Sequence, residues 1–92
     1  MPSADRIAVI ARESGDGHVV DVTVNDRETT THRVRVSPAE RERYGGGDVA
    51  ALVKRSFEFL LAREPNTSIL RDFDLGTIER YFPDYPREIR RS

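Results

Sequence analysis

Ninety-two residues, no cysteine and a net charge of −1 from 15 basic and 16 acidic side chains set the first limits. A chain of this length buries roughly 60–65% of its unfolded surface, enough for one modest core but not for a second core beside a deep substrate pocket. Disulfides, thiolate metal sites and cysteine nucleophiles are excluded, and no strongly one-signed block of charge marks a nucleic-acid or membrane surface.

Fourteen of the basic residues are Arg, with Lys54 the sole lysine. Such a bias suits bidentate recognition of phosphate or carboxylate, but interspersed acids favour a coding bias toward Arg. No apolar run approaches the roughly 20 residues of a membrane span. Residues 1–6 lack the apolar stretch of a signal peptide, so a cytoplasmic location is expected.

Residues 6–36 read as three strands. The first, Arg6 to Arg12, ends at the turn signal Ser14-Gly15-Asp16-Gly17. The second, His18 to Val24, carries valines at 20, 22 and 24, the period of a half-buried strand. The third, Thr29 to Val36, is rich in β-branched residues. Burial fixes the register, because a one-residue slip would turn each apolar set to the wrong face. Val9 is expected opposite Val22, Val22 opposite His32, and His18 opposite Val36. Ile7, Val9, Ala11, Val20, Val22, Val24, Val34 and Val36 then share one face. Ala8, Ile10, Arg12, Val19, Asp21, Thr23, Arg33 and Arg35 share the other, with Asp21 opposite Arg33 as a favourable pair.

Ser37-Pro38-Ala39-Glu40 carries an N-cap, a proline at the first helical position and the acid of a capping box. Gly45-Gly46-Gly47 ends that short helix, and Asp48 caps the main one, expected over Val49 to about Arg63. Val49, Leu52, Val53, Phe57, Leu60 and Leu61 form its apolar stripe, with Phe59 at the edge and Lys54, Arg55 and Glu58 opposite. In the last third, Asp74 is expected to cap a helix from Leu75 to Phe82, and Pro83 and Pro86 to break up the chain beyond it. Leu75, Ile78 and Phe82 should point inward, leaving Tyr81 and Tyr85 on a neighbouring, outer side.

The expected architecture is α+β. A three-stranded antiparallel meander (6–36) is followed by two to three helices on one face, in the order β-β-β-α-α-α. Residues 1–92 form one domain, with helices over 37–64 and a C-terminal lid over 66–92. One helix about 10–12 Å across cannot cover three strands about 4.8 Å apart, so the C-terminal segment must shield the rest.

Catalytic constellations are absent from the sequence. His18 and His32 belong to no ligand-spaced motif, and Asp21 points away from His32. None of the serines has a nucleophile context. Gly15-Asp16-Gly17 joins two strands, and Gly45-Gly46-Gly47 lacks the Lys-Ser/Thr of a P-loop. The run Glu40-Arg41-Glu42-Arg43 reads as a solvated helix surface. No catalytic residue, cofactor or metal ligand set is therefore assigned, and no enzymatic activity is expected.

The segments Ser56-Phe57-Glu58-Phe59-Leu60-Leu61-Ala62-Arg63-Glu64-Pro65, Ser68-Ile69-Leu70-Arg71 and Phe73-Asp74-Leu75, continuing through Ile78-Glu79-Arg80-Tyr81-Phe82-Pro83-Asp84-Tyr85, resemble small bacterial proteins of unknown function. The resemblance spans residues 51–88. It implies no activity, cofactor or site residue, and marks the C-terminal half as the distinctive part.

The leading expectation is a non-enzymatic protein–protein interaction or regulatory module with an unknown protein partner. Its candidate surface is Ile10, Val19, Arg33, Arg35, Phe59, Tyr81 and Tyr85. A homodimer through the outer sheet face or an edge strand is part of the same expectation, since three strands leave two edges open. The alternative is a small nucleic-acid-associated protein, of toxin–antitoxin or phage-defence type, using Arg12, Arg33 and Arg35. It ranks second because Asp21 lies among those arginines and no exposed aromatic is interleaved for stacking.

Overall fold

The computed structural model describes residues 6–91. Residues 1–5, which hold most of the stretch expected to lack a leader, and residue 92 lie outside them. The chain runs β1 (Ile7–Ser14), β2 (Gly17–Asn25), β3 (Thr29–Val36), α1 (Pro38–Arg43), α2 (Val49–Leu61), a 3-10 turn at Asn66–Ser68, β4 (Asp72–Asp74), α3 (Thr77–Tyr81) and α4 (Tyr85–Arg91). The α+β class holds. Among the described residues the sheet has four strands in the order β1-β2-β3-β4, not three.

The meander has the register that burial requires. Val9 lies opposite Val22, Val22 opposite His32, His18 opposite Val36, and Asp21 opposite Arg33. Gly15, at φ 62°, begins the two-residue connection between β1 and β2. That is the glycine-first geometry whose twist suits a tight hairpin. The inner face buries Ile7, Val20, Val22, Val24, Val34 and Val36. Val9 is half-buried and Ala11 exposed, so the cover thins along β1 toward its hairpin end.

α1 begins as its sequence dictates. The Ser37 hydroxyl accepts from the Glu40 amide, and the Glu40 carboxylate accepts from the Ser37 amide. Asp48 caps α2 by accepting from Ala51 N–H at 2.9 Å. Between the helices, Gly45, Gly46 and Gly47 all hold positive φ, a conformation open to glycine at little cost. α2 lies against β1 and β2, with Val49, Leu52, Val53, Ser56, Phe57 and Leu60 buried. It stops at Leu61, two residues earlier than the stripe predicts.

The C-terminal third departs most from expectation. β4 pairs parallel to β3, with Phe73 opposite Val34, reached through the helical crossover that a parallel neighbour requires. Asp74 is therefore a strand residue and not a helix cap: its carboxylate accepts from Arg35 Nε at 2.7 Å. α3 starts at Thr77 with no side-chain cap. Pro86, expected to break the chain, sits in the first turn of α4, where its missing N–H is no loss. The segment does close the core, since Ile69, Phe73, Leu75, Ile78, Tyr85 and Ile89 are all buried. No helix of the described residues is long and apolar enough to cross a membrane.

Candidate functional site: an apolar groove beside α3

A groove of about 410 Å³ opens between the C-terminal end of α2 and α3, within the range of pockets that hold small ligands or single anchoring side chains. Leu60 and Glu64 form one wall, Ile69 and Leu70 the loop side, Phe73 the floor strand, and Ile78, Tyr81 and Phe82 the opposite wall; Ser68 and Thr77 also line it. Leu70 is 47% exposed and Tyr81 68% exposed.

A buried polar chain holds the loop wall in place. Asn66 Nδ2 donates to Glu28 O at 2.8 Å and to Thr30 Oγ1 at 3.0 Å. Thr30 Oγ1 and His32 Nε2 are 2.8 Å apart, and His32 Nδ1 lies 2.7 Å from Leu70 O. A carbonyl can only accept, so Nδ1 carries the proton and Nε2 accepts from Thr30. Burial lowers the His32 pKa and favours this neutral ring. Because β3 grips the Leu70 backbone in this way, the Leu70 side chain is turned toward the groove and solvent.

The opposite wall is braced from behind. Phe82 meets Phe59 edge-on at 5.7 Å, and Phe59 meets Tyr85 at 5.3 Å. The Arg63 guanidinium covers the Phe59 ring at 3.7 Å. Farther along, Arg43 pairs with Glu79 at 2.6 Å, and Tyr44 donates to Glu79 at 2.7 Å, tying α1 to α3. Arg43, followed by the Tyr44 hydroxyl, holds the Glu79 carboxyl down at about 2. The acidic-basic run 40–43 is thus partly a tether and not only a solvated surface.

The structure divides the residues expected to form an interaction surface. Ile10 is 66% exposed on the outer sheet face, with half-buried Val19 on the same face. Arg33 and Arg35 are exposed there but engaged: Arg12 and Arg33 both reach Asp21, at 2.8 and 3.4 Å, and Arg35 pairs with Asp72 and Asp74. Phe59 is half-buried beneath Phe82, Tyr85 and Arg63, so it offers little to a partner. Tyr85 is not on a surface at all. Its ring is fully buried against Tyr44, and its hydroxyl meets Ser56 Oγ at 2.6 Å. Only Tyr81 belongs to the groove. Leu70 and Glu64 are the members that sequence reasoning missed, because the signal lies in tertiary placement and not in spacing.

A second depression of about 340 Å³ lies at the hairpin end, among His18, Arg35, Glu40 and Asp74. Charged and hydroxyl side chains ring it, and Arg35 is already held by acids. Among the described residues, no three His, Asp or Glu side chains converge as metal ligands do. Comparisons with protein-family models, curated proteins and solved structures find no match to this chain.

Proposed function

We propose that this chain is a non-enzymatic interaction module that binds another protein through the groove between α2 and α3. One observation carries the reading. Ile10, Leu70 and Tyr81 are the exposed large apolar side chains among the described residues, and two of the three stand on the same apolar groove. Exposed apolar surface that gathers in one place is the usual mark of a contact site, whereas a lone exposed side chain such as Ile10 needs no explanation.

The test is affinity capture of the tagged protein from its native host, followed by reconstitution with the purified partner. Tyr81→Ser and Leu70→Ser should each weaken the reconstituted complex at least about tenfold if either is a central anchor. Ile10→Ser is the control and should leave it intact. A complex that survives both groove substitutions and fails with Ile10→Ser would move the site to the outer sheet face. The nucleic-acid alternative stays second, because Arg12, Arg33 and Arg35 each carry an acidic partner. A steep loss of binding with salt would favour it instead. We also propose a homodimer through the open edge of β1; light scattering giving the 10.5 kDa of a single chain would refute that proposal.

A further inference from the structure

We infer that the groove selects a partner segment in which a bulky apolar side chain is followed closely by lysine or arginine, with Glu64 taking the cation. This rests on the groove being the binding site proposed above.

Glu64 supplies the single carboxylate of the groove lining, among walls that are otherwise aliphatic, aromatic or hydroxyl-bearing. It is half-buried, yet no hydrogen bond or ion pair reaches its carboxylate among the described residues. Burial alone moves its pKa, upward. A carboxylate that loses water without gaining a donor is destabilised in its charged form. The neighbouring guanidinium of Arg63 does not relieve it, being turned over the Phe59 ring and 3.7 Å from Asp84.

An occupant's chemistry can be read from this imbalance. A purely apolar segment would strip more water from Glu64 and give nothing back. An acidic segment would add repulsion. A segment with an adjacent ammonium or guanidinium supplies the missing partner while its apolar side chain fills the space between Leu70 and Tyr81. The groove thus discriminates by what it rejects as well as by what it binds. A charge-assisted contact in a partly desolvated setting is worth more than an exposed surface pair.

Amide NMR titration of the full chain with three acetylated tripeptide amides, Trp-Leu-Lys, Trp-Leu-Gln and Trp-Leu-Glu, tests the inference. In the wild type, resonances of Leu70, Ile78 and Tyr81 should shift, and the lysine peptide should bind about tenfold more tightly than the glutamine peptide, the scale of a charged hydrogen bond. In Glu64→Gln the apolar response should persist while the lysine preference collapses to within about twofold. Equal binding of lysine and glutamine peptides to the wild type would overturn the inference and leave the groove reading standing. So would a lysine preference that survives Glu64→Gln. Shifts on the outer sheet face, with none at the groove for any peptide, would overturn both.

Discussion

Tyr85 links α4 to α2 through a buried hydroxyl, and removing that hydroxyl should be felt throughout the fold. Ser56 Oγ donates to Leu52 O at 2.8 Å, so the Tyr85 hydroxyl, 2.6 Å away, is the donor to Ser56. Both residues are 0% exposed, and no water can replace a lost partner without a local opening. Tyr85→Phe removes one neutral hydrogen bond and should cost about 1–2 kcal/mol. Ser56→Ala leaves the phenol buried with no acceptor and should cost about 1–3 kcal/mol. At roughly 4–8 °C per kcal/mol for a domain of this size, each change is visible as a melting shift. In the double variant the stranded partner is gone, so the combined loss should fall short of the sum by about 1 kcal/mol. Urea unfolding followed by far-UV circular dichroism gives all three values. A Tyr85→Phe protein within about 0.3 kcal/mol of wild type, or strictly additive losses, would refute the reasoning and return Tyr85 to the surface.

Other consequences concern pH and the tail. His32 is buried neutral with its pKa lowered, so its contribution to stability is full above about 6.5 and falls as pH drops through the folded value. Urea midpoints from pH 7.5 to 5 should decline in the wild type, and less so in His32→Gln; an identical decline would clear His32 of the role. Glu79, held at about 2 by Arg43 and Tyr44, stabilises the fold above the ordinary carboxylate range, and this stabilisation is lost as pH falls from about 4.3 toward 2. Glu79→Gln should flatten that acid limb of the stability curve, and an unchanged limb would contradict the assignment. Truncation after Asn66 removes Ile69, Phe73, Leu75, Ile78, Tyr85 and Ile89 from the core, each worth about 1.5–3 kcal/mol of burial. No cooperative melt should remain, whereas a melt near the full-length temperature would make the tail an appendage.

The parts of the fold legible in the sequence are those whose signals repeat. Alternating valines at 20, 22, 24, 34 and 36 set the strand faces and narrow the register, because a one-residue slip would turn them to the wrong side. Ser37, Pro38 and Glu40 mark a helix start by three independent devices, and the stripe from Val49 to Leu60 marks its partner. β4 escaped because Asp72–Asp74 shows too little alternation to read; its backbone pairs with β3 from far along the chain, where Arg35 also meets two aspartates. Tyr85 escaped for a different reason. Its four-residue spacing from Tyr81 implies a shared face only in a continuous helix, and Phe82, at φ −133° and ψ 85°, ends α3 between them. A new helix then turns Tyr85 toward Ser56, itself a polar position within the apolar stripe. The groove was hidden likewise: Leu70, Glu64 and Tyr81 come from a loop, a helix end and α3, joined only by tertiary packing and by the His32 grip on the Leu70 carbonyl.

The central claim is that partners dock beside α3, and an amide chemical-shift footprint of the captured partner on isotope-labelled protein tests it most directly. Addition of the purified partner should perturb Leu60, Glu64, Ile69, Leu70, Ile78 and Tyr81 while leaving Ile10, Arg12, Arg33 and Arg35 at their free positions. A footprint on those four residues, with the groove unmoved, would contradict the account.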